Sequence, residues 1–292
     1  MTSPGHPFAT IALIGRYASP GIADPVARLA AFLAARGHRV ILDAETAEFT
    51  PLPGYPTAST ADIGAHATLA IVVGGDGTML SIARQLAPFD IPLIGVNQGR
   101  LGFLTDIALS DMEPALSAML DGAYVEETRT LLDTKLLRGD GQCERSLALN
   151  DVVVNKSAIS RLVEFDLYID GNFVFQYKAD GVIIATPTGS TAYSLAAGGP
   201  VLMPSVDAFV VTPVCPHSLT HRPLVVMETS QIELRVETGE EQAFLSIDGQ
   251  IGLPVQQGDR VLCQRAGHKV KLMRIRRTFF DVLRNKLKWG QR

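Results

Sequence analysis

An apolar run at residues 68–73 breaks directly into Gly74-Gly75-Asp76-Gly77-Thr78, and a helical pattern starts immediately behind it. Few arrangements restrict a fold more. A strand that feeds a glycine turn and then a helix N-terminus predicts a parallel sheet with crossover helices. It also builds a phosphate site, because glycines let backbone N–H groups approach an anion and the helix dipole adds positive potential. An Asp inside such a turn repels phosphate. Its chemistry is therefore to take a proton from an attacking hydroxyl, or to meet the Mg²⁺ that accompanies a nucleotide. A tight turn with a capping Asp is the structural alternative at this point.

The flanking segments continue the alternation. Residues 9–14 read as a buried strand ending at Gly15, residues 22–35 as an Ala/Leu-rich helix stopping at Gly37, and residues 39–42 as a second strand. Three prolines make residues 50–60 a loop, residues 92–96 form another strand, and Ser110 with Glu113 predicts a helix start with a capping box. Near Gly122 the period changes. Residues 152–154, 163–169, 173–177, 232–236, 244–247 and 270–275 alternate with the period of a strand, and Asp140-Gly141, Asp170-Gly171 and Asp248-Gly249 supply turns. Residues 278–289 return to helical spacing, with Phe279, Phe280, Leu283 and Leu287 on one face. The expected architecture is an α/β N-terminal domain with a parallel sheet (1–122), a β-rich, β-sandwich-like domain (123–277), and a C-terminal helical tail (278–292) packing back on the first domain.

The net charge of −4 argues against a generally basic nucleic-acid coat, but it hides an imbalance. Residues 260–292 hold eleven Lys or Arg against one acid, Asp281, a local +10. The simplest reading is a docking helix with Arg284, Lys286 and Lys288 in solvent, and no nucleic-acid partner is expected. Residues 181–206 carry no charge and are long enough to span a bilayer, yet their prolines, glycines and hydroxyl residues would strand backbone groups in hydrocarbon. They read as a buried pocket wall, with no membrane partner expected. Cys143, Cys215 and Cys263 are too scattered for a disulfide framework, and no signal-peptide pattern opens the chain, so a cytoplasmic location is expected.

That charge-free stretch carries the second set of chemical signals. Asp180-Gly181, then Thr188-Gly189-Ser190-Thr191-Ala192-Tyr193 and Gly198-Gly199-Pro200, suit a snug polar pocket for a flat ligand such as adenine, with the Tyr ring stacking or capping. A strand-to-helix corner is the bland alternative. Asn150-Asp151, an amide beside a carboxylate at a strand start, suits vicinal ribose hydroxyls or a simple turn. Arg161 and Lys178 could neutralise phosphates or stand in solvent. No GxxxxGKS/T loop, GxGxxG fingerprint or GxSxG elbow occurs, which disfavours P-loop, hydride-transfer and serine-hydrolase chemistry. His217 and His221 lack an intervening acid, so a zinc pair there is disfavoured, and no metal ligand is assigned.

Taken together, Gly74-Gly75-Asp76-Gly77-Thr78, Asn150-Asp151, Thr186-Pro187-Thr188-Gly189-Ser190-Thr191-Ala192-Tyr193-Ser194 with Gly198-Gly199-Pro200, and Ser246-Ile247-Asp248-Gly249-Gln250 resemble the NAD kinase family in order and approximate spacing. The first motif alone is shared with diacylglycerol and sphingosine kinases; the long second-half stretch is more specific. The resemblance implies transfer of the γ-phosphoryl of ATP, with Mg²⁺ or another divalent cation, to the 2′-hydroxyl of the adenosine ribose of NAD, giving NADP. It implies that Asp76 accepts the proton, and that Gly74, Gly75, Gly77 and Thr78 handle phosphate. Asp76 and Gly77 would also contact the dinucleotide, which Asn150 and Asp151 would hold. Thr191, Ala192, Tyr193, Ser194, Leu195 and Ala196 would line the adenosine pocket, with Arg161, Lys178, Asp180 and Gln250 completing a site in a cleft between the domains. Family members are homo-oligomers, so a dimer or tetramer is expected. Two alternatives are a lipid (diacylglycerol-type) kinase, disfavoured by the polar pocket wall, and a non-catalytic dinucleotide sensor that would not need Asp76.

Overall fold

A computed structural model describes residues 8–15, 21–99, 102–156, 162–218, 220–237, 243–276 and 278–288. The chain divides into two compact units, Met1–Thr128 with Val270–Arg292, and Arg129–Lys269.

The first unit opens with β1 (Thr10–Gly15), α1 (Ala23–Ala35), β2 (Arg39–Asp43), α2 (Ala44–Phe49), β3 (Thr57–Ala58), α3 (Thr60–His66), β4 (Leu69–Gly74), α4 (Asp76–Leu86), β5 (Leu93–Asn97), β6 (Ile107–Ala108) and α5 (Met112–Leu120). Strands 1 to 5 form a parallel sheet in the order β5-β4-β1-β2-β3, with β6 beside β5. Both faces of β4 are buried, which is why its sequence is a continuous apolar run rather than an alternating one. Helix α1 lays Val26, Leu29 and Leu33 into the core formed by Ile11, Leu13, Ile71, Val73, Ile94 and Val96. Each such fully buried aliphatic side chain stabilises the unit by roughly 1.5–3 kcal/mol. The strand order reverses between β1 and β4, so β2 and β3 lie on one side of β1 and β4 and β5 on the other. Open parallel sheets leave a crevice at the carboxyl ends of strands at such a reversal. The Gly74–Thr78 turn sits there, at the end of β4.

One local reading changes. The expected capping box at Ser110 and Glu113 is absent: a short 3-10 turn covers Leu109–Asp111, and α5 begins at Met112 without a side-chain cap. Glu113 instead pairs with Arg28 on α1 at 2.7 Å.

The second unit is antiparallel. Its strands are β7 (Val125–Leu137), which begins at the end of the first unit, β8 (Cys143–Ala148), β9 (Asp151–Lys156), β10 (Val163–Ile169), β11 (Asn172–Ala179), β12 (Gly181–Ala185), β13 (Ala208–Val214), β14 (Leu224–Met227), β15 (Ile232–Val236), β16 (Ala243–Ile247), β17 (Ile251–Val255) and β18 (Arg260–Arg274), with the single-turn helix α6 (Tyr193–Ala196) after β12. One sheet runs β14-β13-β12-β9-β16-β17; the other holds β11-β10-β15-β18 with β7 and β8. Val152, Val154, Ile184, Phe209 and Leu245 from the first sheet meet Phe165, Leu167, Leu234 and Val261 from the second. That is a sandwich core, built by alternate residues of each strand. Asp170-Gly171 and Asp248-Gly249 both have positive φ at each residue, as two-residue hairpin turns require.

The charge-free segment splits into the buried central strand β12 and the loop that follows it, and among the described residues no helix is long and apolar enough to cross a membrane. The end of β18 returns the chain to the first unit, where Leu272 pairs in parallel with Leu93 of β5. Helix α7 (Phe279–Leu287) follows and is capped by a reciprocal Thr278/Asp281 box. Its buried face is Val282 and Leu283, while Phe280 points outward, so the expected apolar stripe is rotated. Part of the basic run is paired at close range: Arg260 with Glu233, Arg265 with Glu228, Lys271 with Asp90, Arg274 with Asp106 and Glu127, and Arg284 with Asp281.

Candidate active site

In the first unit, Asp76 occupies the first turn of α4, directly after the N-cap Gly75. Its carboxylate is gripped by the loop beyond β5. Oδ2 accepts the Phe103 N–H at 2.7 Å, and Oδ1 accepts the Leu104 and Thr105 N–H groups at 3.1 Å each and the Thr105 hydroxyl at 2.9 Å. Gly102 passes so close that a Cβ there would overlap the Asp76 carboxylate. Thr78 packs over Gly74, and Gly77 is exposed.

In the second unit, three separate sequence motifs converge on the backbone of residues 149–151. The Asp248 carboxylate accepts N–H groups from Leu149 at 3.0 Å, Asn150 at 2.7 Å and Asp151 at 3.0 Å. From the other direction, the Thr186 hydroxyl donates to the Leu149 carbonyl at 2.5 Å, and the Thr186 N–H donates to the Asn150 carbonyl at 2.9 Å. Gly189 lies against Asn150 so tightly that a Cβ would overlap its carbonyl. The Asn150–Asp151 pair is thus held rigidly at the start of β9.

A pocket of about 310 Å³ opens beside it, lined by Asn150, Asp151, Val153, Asn155, Ala192, Tyr193, Ser246, Asp248 and Gly249. That is the size of a small-molecule site. The sheet pleat explains the lining. Asp151, Val153 and Asn155 alternate onto one face of β9, and Ser246 of β16 sits opposite Val153 on that face. Tyr193 is 42% exposed, so a large ring face is open to a ligand. Burial first, and the neighbouring Asp248 carboxylate second, raise Asp151 from the ordinary aspartate value of 3.8 to about 7.

The expected site residues divide accordingly. Asn150, Asp151, Ala192 and Tyr193 meet in this pocket. Ser194 is buried with its hydroxyl against that of Thr212 at 2.9 Å, and Thr191 donates to the Thr188 carbonyl at 3.1 Å. Leu195 is half-buried and Ala196 exposed on the same turn. Lys178 forms an exposed pair with Glu164 at 2.7 Å, and Asp180 pairs with Lys156 at 2.8 Å. Gln250 follows the Asp248-Gly249 turn with its N–H on the Ile247 carbonyl, and Arg161 lies outside the described residues. Ser190 is a structural residue: it donates to the Pro187 carbonyl at 2.7 Å and accepts the Leu202 N–H at 2.9 Å. His221 stacks on Phe175, and among the described residues no group of three or more His, Cys, Asp or Glu is placed to hold a metal ion.

Three contributors were given no site role by sequence reasoning, although Ser246 and Asp248 stand in one of the motifs that carry the resemblance. Asn155 and Ser246 were legible as alternate positions on their strands, but their convergence depends on β9–β16 register. Asp248 reads as a plain hairpin turn until its partners 97 to 99 residues away are seen.

Known proteins sharpen these observations. The ATP-NAD kinase N-terminal domain profile matches residues 11–124, and the ATP-NAD kinase C-terminal domain profile matches residues 149–275. An NAD kinase of Koribacter versatilis is 53% identical over 285 residues, covering 97% of this chain and 99% of that one. The chain belongs to the NAD kinase family. It is a kinase that phosphorylates NAD to NADP. An NAD kinase of Burkholderia thailandensis is 44% identical over 98% of this chain and 96% of its own length. Among solved structures, yeast NADH kinase complexed with NADH superimposes with a TM-score of 0.87 at 25% identity, covering 98% of this chain and 89% of that one. An NAD kinase from Archaeoglobus fulgidus in complex with ATP gives 0.76 at 25% identity, covering 96% and 98%.

Proposed function

We propose a residue-level course for this phosphoryl transfer. The pocket at Asn150, Asp151 and Tyr193 receives a nucleoside portion of NAD, with the amide and carboxylate on ribose hydroxyls and the Tyr ring on the base. Thr191, Ser194, Leu195 and Ala196 shape the wall of that pocket, and Asp180 and Gln250 support it. The Gly74–Thr78 turn and the N-terminus of α4 handle ATP phosphate, and Arg161 and Lys178 add positive charge. Asp76 accepts the proton of the ribose 2′-hydroxyl. The hydroxyl oxygen bonds to the γ-phosphorus as the bond from that phosphorus to the β,γ-bridging oxygen breaks, and ADP departs with the electron pair. The relatives seen with NADH and with ATP support the identity of acceptor and donor.

Mg²⁺ fits this chemistry as a passenger on the ATP phosphates. It commonly keeps several waters and needs one or two protein carboxylates rather than a cage, and Asp76, in the first turn of α4, would meet it through one of those waters, which leaves Oδ2 for the substrate hydroxyl. When bound it would neutralise the phosphate charge.

The observation that carries this reading is the convergence of the Asn150-Asp151, Thr186–Gly189 and Asp248 motifs on one polar pocket. Amides, carboxylates and a hydroxyl beside the Tyr193 ring suit a nucleoside better than a lipid chain. The assay is incubation with ATP, Mg²⁺ and NAD, with NADP as the product read. Asp76→Ala is expected to bind NAD and lose about a hundredfold or more in turnover; unchanged turnover would remove Asp76 from the base role. Replacing ATP by polyphosphate and NAD by NADH in the same assay defines the donor and acceptor range. We further propose a homo-oligomer, a dimer or tetramer, read by sedimentation. A reducing cytoplasmic setting suits the three free cysteines.

A further inference from the structure

We propose that Thr105, backed by Asn97, is a positioning residue for Asp76, and that it leaves Asp76 Oδ2 as the oxygen open to the substrate hydroxyl. The inference rests on the reading of Asp76 as proton acceptor and extends it to two residues that carry no role above.

Asn97, the last residue of β5, donates from Nδ2 to the Thr105 hydroxyl at 2.6 Å. Its Oδ1 accepts the Gly99 N–H at 2.7 Å, which fixes the orientation of the amide. A hydroxyl has one proton to give. Because Thr105 Oγ1 accepts from Asn97, that proton is committed to Asp76 Oδ1 at 2.9 Å. Asn97 is 4% and Thr105 0% exposed, so water does not compete for these bonds.

The two carboxylate oxygens are therefore unlike. Oδ1 receives three donors, the Leu104 and Thr105 N–H groups and the Thr105 hydroxyl, and is saturated. Oδ2 receives only the Phe103 N–H and keeps an acceptor position. A base that must meet a hydroxyl in one direction benefits from such asymmetry, because a misplacement of about 1 Å costs about a hundredfold in rate. The loop that supplies the donors is itself anchored. The Gly102 N–H closes on the Thr105 carbonyl at 2.9 Å, and the next residue, Asp106, is ion-paired with the buried Arg274 at 3.0 Å.

Steady-state kinetics on the full-length protein test the idea. Thr105→Val keeps the shape and removes the donor. It is expected to lower kcat about tenfold or more while the KM values for NAD and ATP stay within about twofold, and Thr105→Ser is expected to recover most of the loss. In an Asp76→Ala background, Thr105→Val is expected to add no further loss. Asn97→Asp supplies a second route: its new carboxylate draws the Thr105 proton away from Asp76, so kcat falls although the hydroxyl remains. That variant carries the test if Thr105→Val fails to fold. Full kcat in Thr105→Val, or in Asn97→Asp where that variant carries the test, beside an inactive Asp76→Ala overturns the positioning role alone. Full turnover in Asp76→Ala overturns the base reading and the positioning role with it. An equal loss from Thr105→Val with and without Asp76 shows a purely structural effect and also overturns the proposal.

Discussion

Asp248 and Asp151 exchange backbone and side-chain hydrogen bonds across 97 residues of sequence. The Asp248 N–H donates to the Asp151 carbonyl at 2.9 Å, while the Asp248 carboxylate accepts the Asp151 N–H at 3.0 Å. The same carboxylate satisfies Leu149 and Asn150. One side chain thereby sets the position of the amide and carboxylate that face the pocket. Asp248→Ala removes the acceptor for three backbone donors at once. We expect a loss of about 3 kcal/mol in stability and a raised KM for NAD; Asp248→Asn, which keeps one acceptor oxygen, should lose less. Urea denaturation alongside kinetics measures both, and equal stability of Asp248→Ala and wild type would remove this anchoring role.

Burial, and second the Asp248 carboxylate, give Asp151 a pH signature. Its folded value, about 7, lies above the ordinary 3.8, so between these limits the folded protein binds more protons than the unfolded chain. Stability therefore falls as pH rises through that window and stays lowered above it. The shift corresponds to a penalty on the order of 4 kcal/mol at pH 8. Asp151→Asn should flatten the decline between pH 4 and 7 and be more stable than wild type at pH 8, while binding NAD less well. Parallel stability curves for the two proteins from pH 5 to 8 would contradict this.

Gly102 owes its importance to space. A side chain there would strike the Asp76 carboxylate. Gly102→Ala should displace Asp76 and lower kcat by about a hundredfold. Gly139→Ala, where a Cβ meets nothing within 4 Å, serves as the comparison and should turn over normally. Retained kcat in Gly102→Ala would mean that the carboxylate position is not critical.

Tyr193 presents its ring at the pocket while remaining 42% exposed. Stacking on a base is worth about 0.5–1.5 kcal/mol, so Tyr193→Ala should raise the NAD dissociation constant about three- to tenfold. Tyr193→Phe keeps the ring and should recover most of the affinity. Calorimetric titration of both variants decides whether the ring or only its hydroxyl matters.

Local chemistry made much of this protein readable from its residues alone. The apolar run before Gly74, the glycine turn and the helical pattern after Thr78 need only near neighbours to be understood, and β4 and α4 follow from them. Asp170-Gly171 and Asp248-Gly249 announce hairpins because few residues other than Gly and Asp tolerate positive φ. Two pieces of local logic gave way to longer-range forces. Glu113 left its helix end for Arg28, and the buried stripe of α7 turned away from Phe280. The basic tail looked like a charged surface in sequence, yet among its described residues Arg260, Arg265, Lys271, Arg274 and Arg284 find acids in the fold.

What the residues alone determined was the order of elements and the kinds of chemistry available, since propensity, turn geometry and glycine freedom act over a few positions. Only tertiary structure decided which polar groups meet. Register between β9 and β16 brings Asn155 and Ser246 to one face with Asp151, and folding places Thr105 on Asp76 and Asp248 on residues 149–151. The raised proton affinity of Asp151 has the same origin, because burial and a neighbouring charge do not exist until the chain has folded around them.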